Sequence, residues 1–132
     1  MTHHMISRIA VWLLAIVMIV FGIMHFMNPD ALVVNVPMYI PGGIIWVYVV
    51  GIAFILVALA FIFNRFVAVA GYVLAGLLIL FVLTIHLPNW RDSGDPAMRM
   101  MALVSILKDT AIAAFALFIA SNAKNQRLYE WK

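Results

Sequence analysis

A chain of 132 residues of which 67% are hydrophobic and 10% charged lies outside the soluble range of about 45–50% apolar and about 25% charged residues. A membrane class follows, and the formal charge of +3 is then a topology signal and not a nucleic-acid signature. The absence of cysteine excludes disulfides, iron–sulfur clusters, thiolate metal sites and thiol nucleophiles, and with them membrane enzymes that work through a C-x-x-C pair.

A bilayer core of about 30 Å needs about 20 mainly apolar residues per helix. Four runs meet that demand: Ile9 to Met27, about Ile44 to Phe63, Phe66 to Leu87, and about Met100 to Ala120. They consume most of the chain, so one membrane domain over 1–132 is expected: an all-α integral membrane four-helix bundle with antiparallel, up-down topology. The first run follows Arg8 as a secretory signal would, but it exceeds the about 7–15 residues of an h-region and no A-x-A-like site follows. It reads as a retained helix.

The loop after the first run, "NPDALVVNVPMYIPGG", has an apolar middle broken by Pro37 and Pro41. Free backbone cannot sit in lipid unsatisfied, so this segment reads as an interfacial connector, the competing reading being a lid over a cavity. The second and third runs are joined by Asn64-Arg65 alone, which makes them antiparallel neighbours. The loop after the third run, "PNWRDSGDPAMR", reads as a polar turn in water.

Positive residues favour the cytoplasmic side of short loops. Arg8, Arg65, Lys124, Arg127 and Lys132 fall on one side and only Arg91 and Arg99 on the other, so both termini are expected in the cytoplasm. Trp12, Trp46, Trp90, Tyr129 and Trp131 suit the aromatic belts of the two interfaces. Trp90 is also a candidate to stack on a ligand.

The polar residues within the runs are few. His25 and His86 fall within about 5 Å of the outer ends of their helices, at 1.5 Å per residue, whereas Lys108 and Asp109 fall about 14 Å down. On the fourth run Ala102, Ser105, Asp109, Ala113, Ala116 and Ala120 form a small-residue stripe of the kind that lets membrane helices approach, so Asp109 faces the bundle. Lys108 is turned about 100° away, which argues against a direct pair with its neighbour. The same test on the third run gives Ala68, Gly71, Ala75, Ile79, Val82 and His86.

An ionised Lys or Asp at mid-depth costs about 2.5–3.5 kcal/mol on insertion scales, so such residues read first as functional. The structural reading is a polar clasp, with Asp109 bonded to Tyr48, Tyr72 or a backbone group. Two histidines on two helices also permit a bis-imidazole haem, the weaker reading because no H-x-x-E or H-E-x-x-H pattern accompanies either one; no metal site is assigned. Met18 and Met24 are candidates for a flexible apolar lining.

Four segments together, "FGIMHF", "VPMYIPGGIIWVYVVG", "VLTIHLPNW" and "ILKDTAIA", resemble the DoxX family of small four-helix bacterial membrane proteins (DoxX/DoxD-like). The likeness runs from the first helix to the fourth. It implies a bundle in the bacterial inner membrane, acting as the membrane subunit of a quinone-linked oxidoreductase assembly. It also implies that His25, His86 and Lys108, with Asp109 after the lysine, occupy the family's recurrent polar positions. Many relatives read G-x-x-E on the second helix, where this chain has Gly51-Ile52-Ala53-Phe54.

The expected function is a membrane subunit that binds an apolar, quinone-like molecule between helices through His25, His86, Lys108, Asp109, Tyr48 and Trp90. The expected partners are the lipid bilayer, a redox subunit and a second copy of the chain. A non-enzymatic scaffold or lipid-binding protein is the alternative.

Overall fold

The computed structural model describes residues 2–123; Lys124, Arg127, Lys132, Tyr129 and Trp131 lie outside the described residues. Among those described, every element is helical: α1 (His3–Met27), α2 (Pro29–Leu32), a 3-10 turn (Val33–Asn35), α3 (Ile44–Phe63), α4 (Val67–Phe81), a π-helical segment (Val82–His86), α5 (Leu87–Asp92) and α6 (Pro96–Asn122). Four helical stretches of 25, 20, 26 and 27 residues are long and apolar enough to cross a membrane, the third combining α4, the π segment and α5.

The boundaries differ from the sequence reading at three places, the third being α6, which begins at Pro96 and not near Met100. α1 begins at His3, capped by Thr2, whose side chain accepts from the Met5 amide. The segment expected to be a polar turn instead continues helically to Asp92, the π turn before it accommodating Pro88, which a regular helix interior would not. Only residues 93–95 break the chain. There Asp95 accepts from the Ala97 amide at 3.0 Å and Pro96 opens α6, a favourable N-cap and N1 pair.

The long helices pair through glycine. Phe26 packs on Tyr48, His25 on Gly51 and Gly22 on Ile55, so α1 and α3 run in opposite directions. A Cβ on Gly22 would fall 3.0 Å from the Gly51 carbonyl oxygen, and one on Gly51 would fall 3.0 Å from the His25 Cβ. α4 and α6 also run oppositely, Gly71 lying against Ala116 and Ala120 near one end and His86 against Asp109 toward the other. Backbone contact of this kind is the usual means of helix association where water supplies no hydrophobic drive.

The reversal between α3 and α4 is three residues long. Asn64 (φ 57°) ends α3 in the left-handed conformation that Asn tolerates at a helix C-terminus. Phe66 (φ 56°) repeats that conformation before α4. The core joins all four long helices, with Phe61, Met18, Leu74 and Ile119 its largest fully buried side chains. Met18 is therefore structural, and Met24, 44% exposed, faces outward.

The connector after α1 is partly ordered by side chains. Trp46 Nε1–H donates to the Pro41 carbonyl at 2.6 Å, and Gly42 and Gly43 supply the positive φ angles of 107° and 49° that lead into α3. Val34, Met38 and Tyr39 are left exposed.

Candidate functional site

The chemistry of the bundle gathers on its one buried charge. Asp109 is 5% exposed, the only buried polar or charged residue among those described, and it stands on the small-residue stripe of α6 as expected, between buried Ala102 and Ala113. A lone carboxylate here would carry a heavy desolvation cost. Each of its oxygens instead faces a separate partner.

Oδ2 lies 3.1 Å from His86 Nε2. The bond is made from the π segment, whose defining feature is the Leu87 amide donating to Val82 O, five residues back. Pro88 has no N–H to serve the Thr84 carbonyl, and in a regular helix its ring would strike that carbonyl; the Thr84 hydroxyl also donates to Leu80 O at 2.7 Å. Both features favour a widened turn over a tight one.

That turn decides where His86 points. The buried face of α4 is Val67, Ala70, Gly71, Leu74, Ala75 and Leu78; two regular turns beyond Leu78 fall on Ile85. One extra residue in the π turn moves His86 into that place. The stripe expected from regular spacing is thus corrected: Ile79 is 43% exposed, and His86 reaches the bundle through the irregular turn.

Oδ1 lies 3.6 Å from Lys108 Nζ. The expectation that these neighbours could not pair is overturned, because the long lysine stem bends back along the helix surface although the Cα–Cβ bonds diverge. The same ammonium lies 4.8 Å from the centre of the Phe21 ring of α1, within range of a cation–π attraction. Asp109, His86, Lys108 and Phe21 thus tie α6 to the π segment and to α1. His86 and Asp109, expected at separate depths, are in direct contact through their side chains.

His25 is set differently. Its Nδ1–H donates to Phe21 O at 2.7 Å, which in the neutral ring leaves Nε2 as an acceptor. Its ring meets Phe54 edge-on at 5.3 Å, and Phe54 meets Phe81 at 6.4 Å. Phe54, 4% exposed, was not singled out as a site residue, and hydrophobicity alone gave no signal for its contact with an imidazole.

Tyr48 and Trp90 stand apart from this cluster. Tyr48 packs on Phe26 with ring centres 5.9 Å apart, and Tyr72 is exposed, so neither tyrosine is the partner of Asp109 that a clasp was expected to use. Trp90 is 39% exposed; its carbonyl accepts from Arg99 Nε at 3.1 Å. No group of three or more His, Cys, Asp or Glu able to hold a metal occurs among the described residues.

The arrangement can share a proton along His86 Nε2···Asp109 Oδ2, balance charge with Lys108, and offer His25 Nε2 as an acceptor beside apolar rings. Comparison with known proteins finds no match to a family model, a curated protein or a solved structure.

Proposed function

We propose that the chain is a DoxX-like multi-pass protein of the bacterial inner membrane, with both termini cytoplasmic, that serves as the membrane subunit of a quinone-linked redox assembly. The observation that carries the reading is the buried Asp109 carboxylate, bridged by His86 from another element and by Lys108. An intramembrane ionisable cluster is expensive to maintain and by default marks a proton, ion or ligand path.

In this reading an apolar molecule with a polar head lies between the helices. His86 is 22% exposed at its side chain, enough to present one edge of the ring to such a head while its Nε2 holds the aspartate. His25 Nε2 accepts from the hydroxyl of the quinol form, and His86–Asp109 relays the two protons that the quinone oxygens take up with two electrons, with Lys108 balancing the charge of the carboxylate. The partner subunit would supply the electrons. Phe54 stands where many DoxX relatives have an acid, so His25 is framed by hydrocarbon and the proton path runs through Asp109.

A second reading, a scaffold whose polar cluster only fastens the helices, draws on the satisfied valences of Asp109 and on the glycine-tight helix contacts. Native mass spectrometry of the protein in nanodiscs containing ubiquinone, with its copurified partners, separates the two. The redox reading expects retained quinone that His86→Ala and Asp109→Asn each release while the chain still folds. Unchanged quinone retention and unchanged assembly in both variants would defeat it and leave the scaffold.

A further inference from the structure

An apolar groove of about 900 Å³ runs along the outside of α3 and α4, away from the His86–Asp109 cluster, and is walled by Leu56, Ala60, Phe63, Phe66, Val69 and Val73. We propose that it binds one acyl chain of an anionic phospholipid whose phosphate is held by Arg65. The inference rests on the membrane-embedded reading given above and on none of its redox chemistry.

Length, composition and charge agree on this occupant. Along α3 the wall extends from Ala53 to Phe63, a rise of about 15 Å, which is one leaflet of a hydrocarbon core about 30 Å thick. A groove that starts at the helix ends and stops near the middle of the bilayer has the span of a single lipid chain. Arg65 is the only charged residue of its lining. It lies in the reversal between α3 and α4, at headgroup level, exposed and without an ion pair to any described residue.

The reversal itself presents the site. Left-handed backbone at Asn64 and Phe66 brackets Arg65, and Phe66 is 80% exposed while still lining the groove. An aromatic residue adopts that conformation rarely; here Phe66 and Arg65 both line the groove. Guanidinium geometry suits phosphate oxygens. With both termini cytoplasmic, the loop lies on the cytoplasmic side, where a positive residue such as Arg65 is favoured.

The test uses the full chain in mild detergent, exchanged with phosphatidylglycerol or phosphatidylcholine of the same acyl composition and read by native mass spectrometry. One phosphatidylglycerol per chain is expected to be retained about fivefold over phosphatidylcholine, the factor that one cationic residue adds near an anionic headgroup. Arg65→Gln should abolish the preference and Arg65→Lys should restore part of it. Ala60→Leu, which fills the groove, should lower retention of both lipids. Millimolar inorganic phosphate should leave retention unchanged, since the chain supplies most of the contact. Equal retention of the two lipids by the wild type, or a preference that survives Arg65→Gln, would overturn the proposal while leaving membrane insertion intact. Failure of the protein to enter vesicles of phosphatidylcholine would overturn both.

Discussion

His86 Nε2 and Asp109 Oδ2 meet at 3.1 Å across the α4–α6 side of the bundle, although 23 residues separate them in sequence. The contact joins an irregular turn to a regular helix. Its strength is measurable, because each partner can be removed alone and together.

A double-mutant cycle of His86→Ala and Asp109→Asn, read by reversible unfolding in detergent, should give a coupling of about 0.6–1.7 kcal/mol, the range for polar contacts between membrane helices. Asp109→Leu should cost more than Asp109→Asn, since Asn keeps an amide oxygen that can accept from His86 and Lys108 whereas Leu keeps no polar atom. Strict additivity of the two single changes would show that the contact holds nothing together.

Pro88 is the expected cause of the π turn. Pro88→Ala returns an N–H to position 88 and removes the ring clash with the Thr84 carbonyl, so the helix can regularise and rotate His86 away from Asp109. Global stability should rise or stay level while the coupling between His86 and Asp109 falls toward zero. A coupling that persists in the Pro88→Ala background would assign the turn to another cause, with the Thr84 hydroxyl bond to Leu80 the next to test.

The close helix contact at Gly71 leaves no space for a methyl group. Its Cβ would lie 2.7 Å from Ala120 Cβ and 2.8 Å from Ala116 O, whereas a Cβ on Gly76 meets nothing within 4 Å. Gly71→Ala should destabilise by about 1–3 kcal/mol through overpacking. Gly76→Ala should be neutral or stabilise by about 0.4–1 kcal/mol by restricting the unfolded chain. Equal thermal shifts for the two variants would remove the packing account.

Much of the architecture was legible in composition and spacing. The four apolar runs are the four long helices because about 20 apolar residues in succession have one economical conformation in lipid, the helix that satisfies its own backbone. The α6 stripe was legible for a related reason: Ala102, Ala113, Ala116 and Ala120 recur at helical period, and their burial places Asp109 on the inner face. His25, His86, Lys108 and Asp109 stood out as the few polar residues within the four runs, with nothing to say which of them touch.

Tertiary structure decided the contacts. Regular helical arithmetic could not say that His86 and Asp109 touch, and it turned Lys108 away, because it fixes only where a Cα–Cβ bond starts. The π turn at Val82–His86 adds one residue to the count and reorients everything beyond it, and a lysine stem bends through four torsions to bring Nζ beside Asp109. The edge of His25 against Phe54 likewise follows from the touching glycines of α1 and α3, a distance between two helices that neither helix encodes by itself. The sequence by itself therefore determined the four long helices and the inner face of α6, both local consequences of backbone satisfaction and residue size. The pairing of its polar atoms was left to helix packing and one irregular turn.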